Sequence, residues 1–359
     1  MSSPNQFRID ADFHLPQAEV RELLPFLDEY WQMQVTDREL VTMPFRLSAY
    51  PANSPLTRNR DFDGMDVSAA LDRFDTGVAV ASTLHGVVGL HNPDMRAALL
   101  SAVNDHVAAH WLDAEPRLRG SIYVSGEDPQ ASVAEIERLA GDRRFVQVLM
   151  LAMQEIHHGN RYYWPIYEAC ERHGLALAIH AGSIYRNPPS VSGWPSYQFE
   201  DYVMQSMVFE NILTGLIGEG VFQKFPDLKV IFLESGFAWL PTTIWRNDKT
   251  WRGVRQEVPW LDRKPSEIMA GRVFMSLQPV DPPGPDELQQ ILKHIGGTDM
   301  LLYSTDYPHR QFAGDAPLPA GLPDEALPGI LAGNALRAYP RLADDTAVRR
   351  ATETVEETT

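Results

Sequence analysis

A single cysteine, Cys170, stands in 359 residues, so no intrachain disulfide can form and a cysteine-rich metal site is excluded. Positive charge is scarce as well. Lys and Arg number 31 against 48 acidic residues, a net charge of −17, which weighs against nucleic acid or an anionic membrane as partner. An acidic substrate stays open, because a local arginine cluster overrides the global field. No apolar run is long enough to span a bilayer, and the opening MSSPNQFR lacks a signal-peptide core, so a cytoplasmic location is expected. There is no internal repeat, no low-complexity core, and no glycine fingerprint after the first strand-like run. Phe13-His14-Leu15-Pro16 stands there instead, which argues against a doubly wound dinucleotide-binding sheet.

What is present is an alternation of apolar strand-like runs with helical stretches. Eight strands are expected near 7–13, 77–82, 118–123, 145–150, 175–180, 228–233, 272–276 and 300–304. Helices are expected near 67–74, 92–114, 129–140, 163–173, 202–218, 287–295 and 327–338, the third with Val133, Ile136 and Leu139 on one face. Two long irregular stretches, 16–62 and 182–205, interrupt the pattern. Residues 7–342 thus read as one (β/α)8 TIM barrel with long loops at the C-terminal face, and 343–359 as a flexible charged tail.

Four polar residues lie at the ends of those strands: Asp12 and His14 in FRIDADFH, His180 in LALAIHAG, and Asp306 in MLLYSTDYPH. Asp12 and His14 are two apart and face the same way on one strand. A barrel brings its strand ends together at one mouth, which is how ligands distant in sequence converge on one ion. Carboxylate oxygen with imidazole nitrogen suits zinc first, with manganese or iron sharing those ligand types. The competing reading, core histidines and turn-capping aspartates, accounts for any one of the four more easily than for all of them.

With these motifs in view, the chain resembles the amidohydrolase-2 branch of metal-dependent TIM-barrel enzymes, the branch of the aminocarboxymuconate-semialdehyde and resorcylate decarboxylases. The resemblance spans about residues 7–342. It rests on IDADFH, WPIYEACERHGLALAIHAG, FPDLKVIFLESG, YSTDYPH and GNALRAYPRL. It implies Asp12, His14, His180 and Asp306 as metal ligands. After the sixth strand, where the family often carries a proton-handling histidine, this chain has Glu234. That residue is open to three roles: metal ligand, general base or structural anchor.

The resemblance implies a carboxy-lyase acting on an aromatic or conjugated acid, with Asp306 or Glu234 delivering a proton and His180 beside them. The alternative is a hydrolase of an amide, ester or lactone using metal-activated water. Arg58, Arg60, Arg186 and Arg310 are candidates for holding a substrate carboxylate, since the guanidinium fork matches it. Trp194, with Tyr197 and Phe199, is a candidate flat wall for a ring. His158 and His85 are candidate pocket residues, and His309 a candidate for orienting the site. The expected partner is a small organic acid or carbonyl compound. The tryptophan-rich stretch 239–260 and the family habit suggest a homodimer.

Overall fold

The computed structural model describes residues 7–42, 62, 64–182, 190, 193–309 and 317–356. Eight parallel strands occur in sequence order: β1 (Arg8–His14), β2 (Thr76–Ser82), β3 (Leu118–Tyr123), β4 (Phe145–Leu151), β5 (Ala176–His180), β6 (Val230–Leu233), β7 (Val273–Ser276) and β8 (Leu301–Leu302). Each pairs with the next, and the segment after β8 closes the ring onto β1. There Ala11 donates its N–H to Tyr303 O at 2.9 Å, Asp306 to Asp12 O at 3.1 Å, and His14 to Tyr307 O at 2.9 Å. The result is the expected (β/α)8 barrel.

Strands buried on both faces need apolar residues of both parities, and β5 illustrates the rule. Leu177 and Ile179 pack with Ile166, Ile212 and Leu213 of the surrounding helices. Ala176 and Ala178 join Val80, Leu149, Ile231 and Leu302 from the other strands, leaving His180 as the polar end of the same face. The helix Trp164–His173 that feeds β5 ends at Gly174, whose φ of 62° is the left-handed conformation glycine adopts without penalty.

Several expectations are corrected. The helix expected over 92–114 is α-helical only over Pro93–His106 and continues as a wider π turn, Val107–Leu112. The segment expected to remain a loop up to residue 205 becomes helical at Gln198. Glu200 reaches back to accept the N–H groups of Ser196 and Tyr197 at 2.6 and 2.8 Å, fixing the earlier start. The eighth strand is shorter than expected because its chain leaves β7 to bond β1. Near the end of the described chain lies a helix, Thr346–Glu356, with Val348 buried, and an Arg119–Asp345 ion pair of 2.8 Å precedes it. Among the described residues, no helix is long and apolar enough to cross a membrane.

Candidate metal centre

Asp12 and His14 lie at the top of β1, where His14 is in register with Ser82 of β2. The Ser82 hydroxyl donates to Asp12 Oδ1 at 2.9 Å and so fixes that carboxylate. His180 is the last residue of β5, in register with Leu151 and Leu233. Glu234 follows β6 directly, and Asp306 lies four residues beyond β8. Both have left-handed backbones, φ 53° and 52°, a conformation that costs about 1–3 kcal/mol outside glycine. The same local twist delivers each carboxylate to the barrel mouth.

These five side chains converge. His14 Nε2 lies 3.2 Å from Glu234 Oε1, 3.2 Å from Asp306 Oδ1 and 3.6 Å from Asp12 Oδ1. His180 Nε2 lies 3.5 Å from Glu234 Oε1 and 3.6 Å from Asp12 Oδ2. His309 Nδ1 approaches Asp306 Oδ1 at 3.0 Å and Glu234 Oε1 at 3.4 Å, and its ring leans on that of His14. Ligand atoms of Asp12, His14, His180 and Glu234 all fall within 4.8 Å of one another. So do those of His14, Glu234, Asp306 and His309.

The hydrogen bonds around this cluster decide what it is for. His180 Nδ1 sits 2.7 Å from the Ala181 carbonyl, which can only accept, so Nδ1 carries the proton. In the neutral ring Nε2 is then a lone pair, and it faces two carboxylates rather than donors. His14 Nε2, His180 Nε2, Asp12 Oδ2, Glu234 Oε1 and Asp306 Oδ2 are all buried without a hydrogen-bond partner. At His180 a lone pair thus faces carboxylate oxygens of Asp12 and Glu234 in a buried site, a contact that a shared cation makes favourable.

The titration behaviour has the same cause. Burial opposes charge on His14, yet Asp12, Asp306 and Glu234 together raise its pKa well above the imidazole range. Burial likewise opposes charge on Glu234, but His180, His14 and His309 hold its carboxyl well below the usual range. Burial, reinforced by Glu234, pushes Asp306 up to about 6. The cluster stabilises positive charge, and a mixed imidazole–carboxylate set of this kind is a divalent-metal-binding site.

Of the remaining candidates, Arg58, Arg60, Arg186 and Arg310 lie outside the described residues. Trp194, Tyr197 and Phe199 are exposed around the start of the Gln198–Gly218 helix. Phe199, Tyr202 and Val203 of that helix, with Trp239, Val280 and Glu234, line a cavity of about 980 Å³. The cavity therefore opens onto the cluster through Glu234. His158 is fully buried. Its Nε2 donates towards the carbonyls of Leu151 and Ala152 at 3.1 and 3.2 Å, and its ring stacks on Tyr163. His85 is equally buried, with Nε2 donating to Ala18 O and Nδ1 accepting from Val87 N.

Two supporting residues escaped the sequence reading. Ser82 was readable only as the one polar end of an apolar strand. Asp10 shares the two-residue spacing of Asp12 and His14. It accepts the Thr305 hydroxyl at 2.6 Å and the N–H groups of Asp12 and Thr305, tying β1 to the Asp306 turn.

The chain is 25% identical over 227 residues to a gamma-resorcylate decarboxylase of Polaromonas sp. (strain JS666 / ATCC BAA-500), a match covering 57% of this chain and 64% of that relative's length. The structure is similar to that of 5-carboxyvanillate decarboxylase from Sphingomonas paucimobilis, with TM-score 0.67 and 22% identity over 94% of this chain and 99% of the other. It is also similar to a dihydroxybenzoic acid decarboxylase from Polaromonas sp. JS666, solved with bound manganese and the inhibitor 2-nitroresorcinol. That pair has TM-score 0.64 and 17% identity over 96% and 99% of the two chains. The structural likenesses establish the fold. The model of the family described as amidohydrolase matches residues 9–341, and the chain belongs to that family.

Proposed function

We propose that this protein is a metal-dependent decarboxylase of an aromatic or conjugated carboxylic acid. The observation that carries the reading is the buried set of unpartnered ligand atoms, one of whose residues, Glu234, also lines a partly aromatic cavity. The decarboxylase activities of the similar proteins support it.

In this reading Asp12, His14, His180 and Asp306 hold one divalent ion. When bound, the ion supplies a Lewis acid for the substrate's carboxylate and adjacent oxygen, and for the charge that develops there. The chain's own residues do the rest. The Ser82 bond and the Ala181 carbonyl fix Asp12 and His180 in orientation and tautomer. Asp306 turns Oδ1 towards His14 and His309, while Oδ2 has no partner and is placed to carry a proton. Transfer of that proton to the ring or vinylic carbon weakens the neighbouring C–C bond. The bond breaks with its electron pair returning to the carbon framework, and CO₂ leaves. His309, hydrogen-bonded to Asp306 and partly exposed, returns a proton to it and takes one from solvent, so one proton enters for each CO₂ released. Tyr202 and Trp239 give the ring a flat wall.

Zinc and manganese both suit two imidazoles with carboxylates, and reloading metal-free protein with each decides between them. The homodimer reading is supported by exposed apolar residues on the Gln198–Gly218 helix, among them Phe199, Val203 and Met207, and sedimentation tests it.

The test of function is product analysis on a panel of hydroxylated aromatic acids and conjugated acids. Released CO₂ with stoichiometric decarboxylated product is expected. Turnover of amides, esters or lactones with no CO₂ from any acid would replace this reading with hydrolysis.

A further inference from the structure

Glu234 is the feature of the site that the decarboxylase reading leaves without a role. We infer that Glu234 is itself a protein ligand of the metal, a fifth beside Asp12, His14, His180 and Asp306. This rests on the metal reading above but not on the reaction.

Geometry separates the three roles open to this side chain. A structural anchor accepts hydrogen bonds, yet Glu234 Oε1 is buried with no hydrogen-bond partner. The anchoring at this position is done by the backbone, where Ser276 Oγ accepts the Glu234 N–H at 3.0 Å. A proton relay facing only the cavity would have no reason to crowd ligand atoms. Oε1 instead lies 3.2 Å from His14 Nε2 and 3.5 Å from His180 Nε2, the two imidazole nitrogens that point at the centre. At His180 the Ala181 carbonyl has already taken the ring's one N–H, so Nε2 has no proton to offer Glu234 in the neutral ring. The contact between these lone pairs is favourable only with a cation shared by both. Glu234 also stands with Asp12, His14 and His180 in a single convergent group.

The backbone adds an independent observation. Glutamate seldom adopts φ 53°, and that conformation costs about 1–3 kcal/mol. Asp306, whose Oδ1 is likewise 3.2 Å from His14 Nε2, adopts the same conformation. Glycine would relieve this strain, so the glutamate side chain stands here at a conformational cost.

The test uses the full-length protein stripped of metal by chelator and titrated with Co²⁺, comparing wild type with Glu234→Gln and Glu234→Gly. Thermal midpoints of the metal-free forms check that both variants fold, and the glycine variant is expected to match or exceed wild type. A direct ligand predicts that Glu234→Gln shifts the visible Co²⁺ bands. It also predicts weaker affinity by about a hundredfold or more, beyond the 10- to 100-fold typical of a residue acting through a ligand. A folded variant that takes up no Co²⁺ supports the inference equally. Co²⁺ bands unchanged in Glu234→Gln overturn it at any affinity and return Glu234 to proton transfer, with the metal reading intact. A wild-type protein that binds no Co²⁺ overturns both.

Discussion

His180 shows how one hydrogen bond sets the chemistry of a residue. The Ala181 carbonyl holds its Nδ1 proton, which commits Nε2 to the barrel mouth as a lone pair. In the proposed reaction, turnover rests on Asp306. Asp306→Asn keeps the size and one oxygen but cannot exchange the proton. Its steady-state rate is expected to fall at least about a hundredfold, in line with removal of a general acid. A wild-type rate would remove Asp306 from the chemistry. The placement of Asp12, His14, His180 and Asp306 was legible because each is a polar residue at the end of an apolar run, and strand ends meet in a barrel. Glu234 was legible as a departure but not in its role. Nothing in FLESG shows that its backbone turns left-handed and aims the carboxylate inward.

Two histidines that looked like pocket candidates make a different prediction. Burial lowers both His85 and His158 to about 4, opposed by the Ala18 carbonyl at His85 and by the Leu151 and Ala152 carbonyls at His158. A histidine depressed in the folded state stays neutral there while the unfolded chain takes up a proton below its ordinary value of 6.5. Stability is therefore fully present above pH 6.5, declines as pH falls from 6.5 towards 4, and levels off below that. The loss is on the order of 3 kcal/mol for each residue. Urea denaturation at pH 7.5 and pH 4.5 measures it, and His158→Phe should flatten the dependence. An identical slope in that variant would show that His158 is not the group responsible.

At the scale of elements, the Gln198–Gly218 helix positions one wall of the cavity, and a glycine pair seats it. A Cβ on Gly159 would fall 2.3 Å from the Gly215 carbonyl oxygen, a backbone atom that cannot swing aside. Gly159→Ala is expected to cost about 1–3 kcal/mol of stability, read by denaturant midpoint. An unchanged midpoint would mean that the helix can shift without loss. Periodicity located this helix but not its start, because the start is set by Glu200 reaching back to Ser196 and Tyr197. The Pro129–Leu139 helix, by contrast, was read to within a residue. Asp128 caps it, accepting the Ala131 N–H at 3.0 Å, and one apolar face runs its length. The eighth strand was overextended because apolar content marks burial, not which neighbour the backbone bonds.

For the whole molecule, barrel closure and ion binding are one problem. The β8–β1 seam is made by the residues flanking the ligands: Asp306 bonds Asp12 through the backbone, and Asp10 ties to Thr305. Three carboxylates within one buried cluster repel one another until a cation enters. Chelation is therefore expected to lower the thermal midpoint by several degrees, and readdition of manganese or zinc to restore it. A ligand present at a thousand times its dissociation constant stabilises by about 4 kcal/mol. A midpoint indifferent to chelator would detach metal from stability.

One ion held among these side chains underlies both site and fold, and an anomalous-difference map of crystals grown with manganese tests for it most directly. A single strong peak is expected about 2.0–2.3 Å from Asp12, His14, His180 and Asp306, with Glu234 Oε1 at the same range. A map without density there, or with its peak in another cavity, would contradict the account.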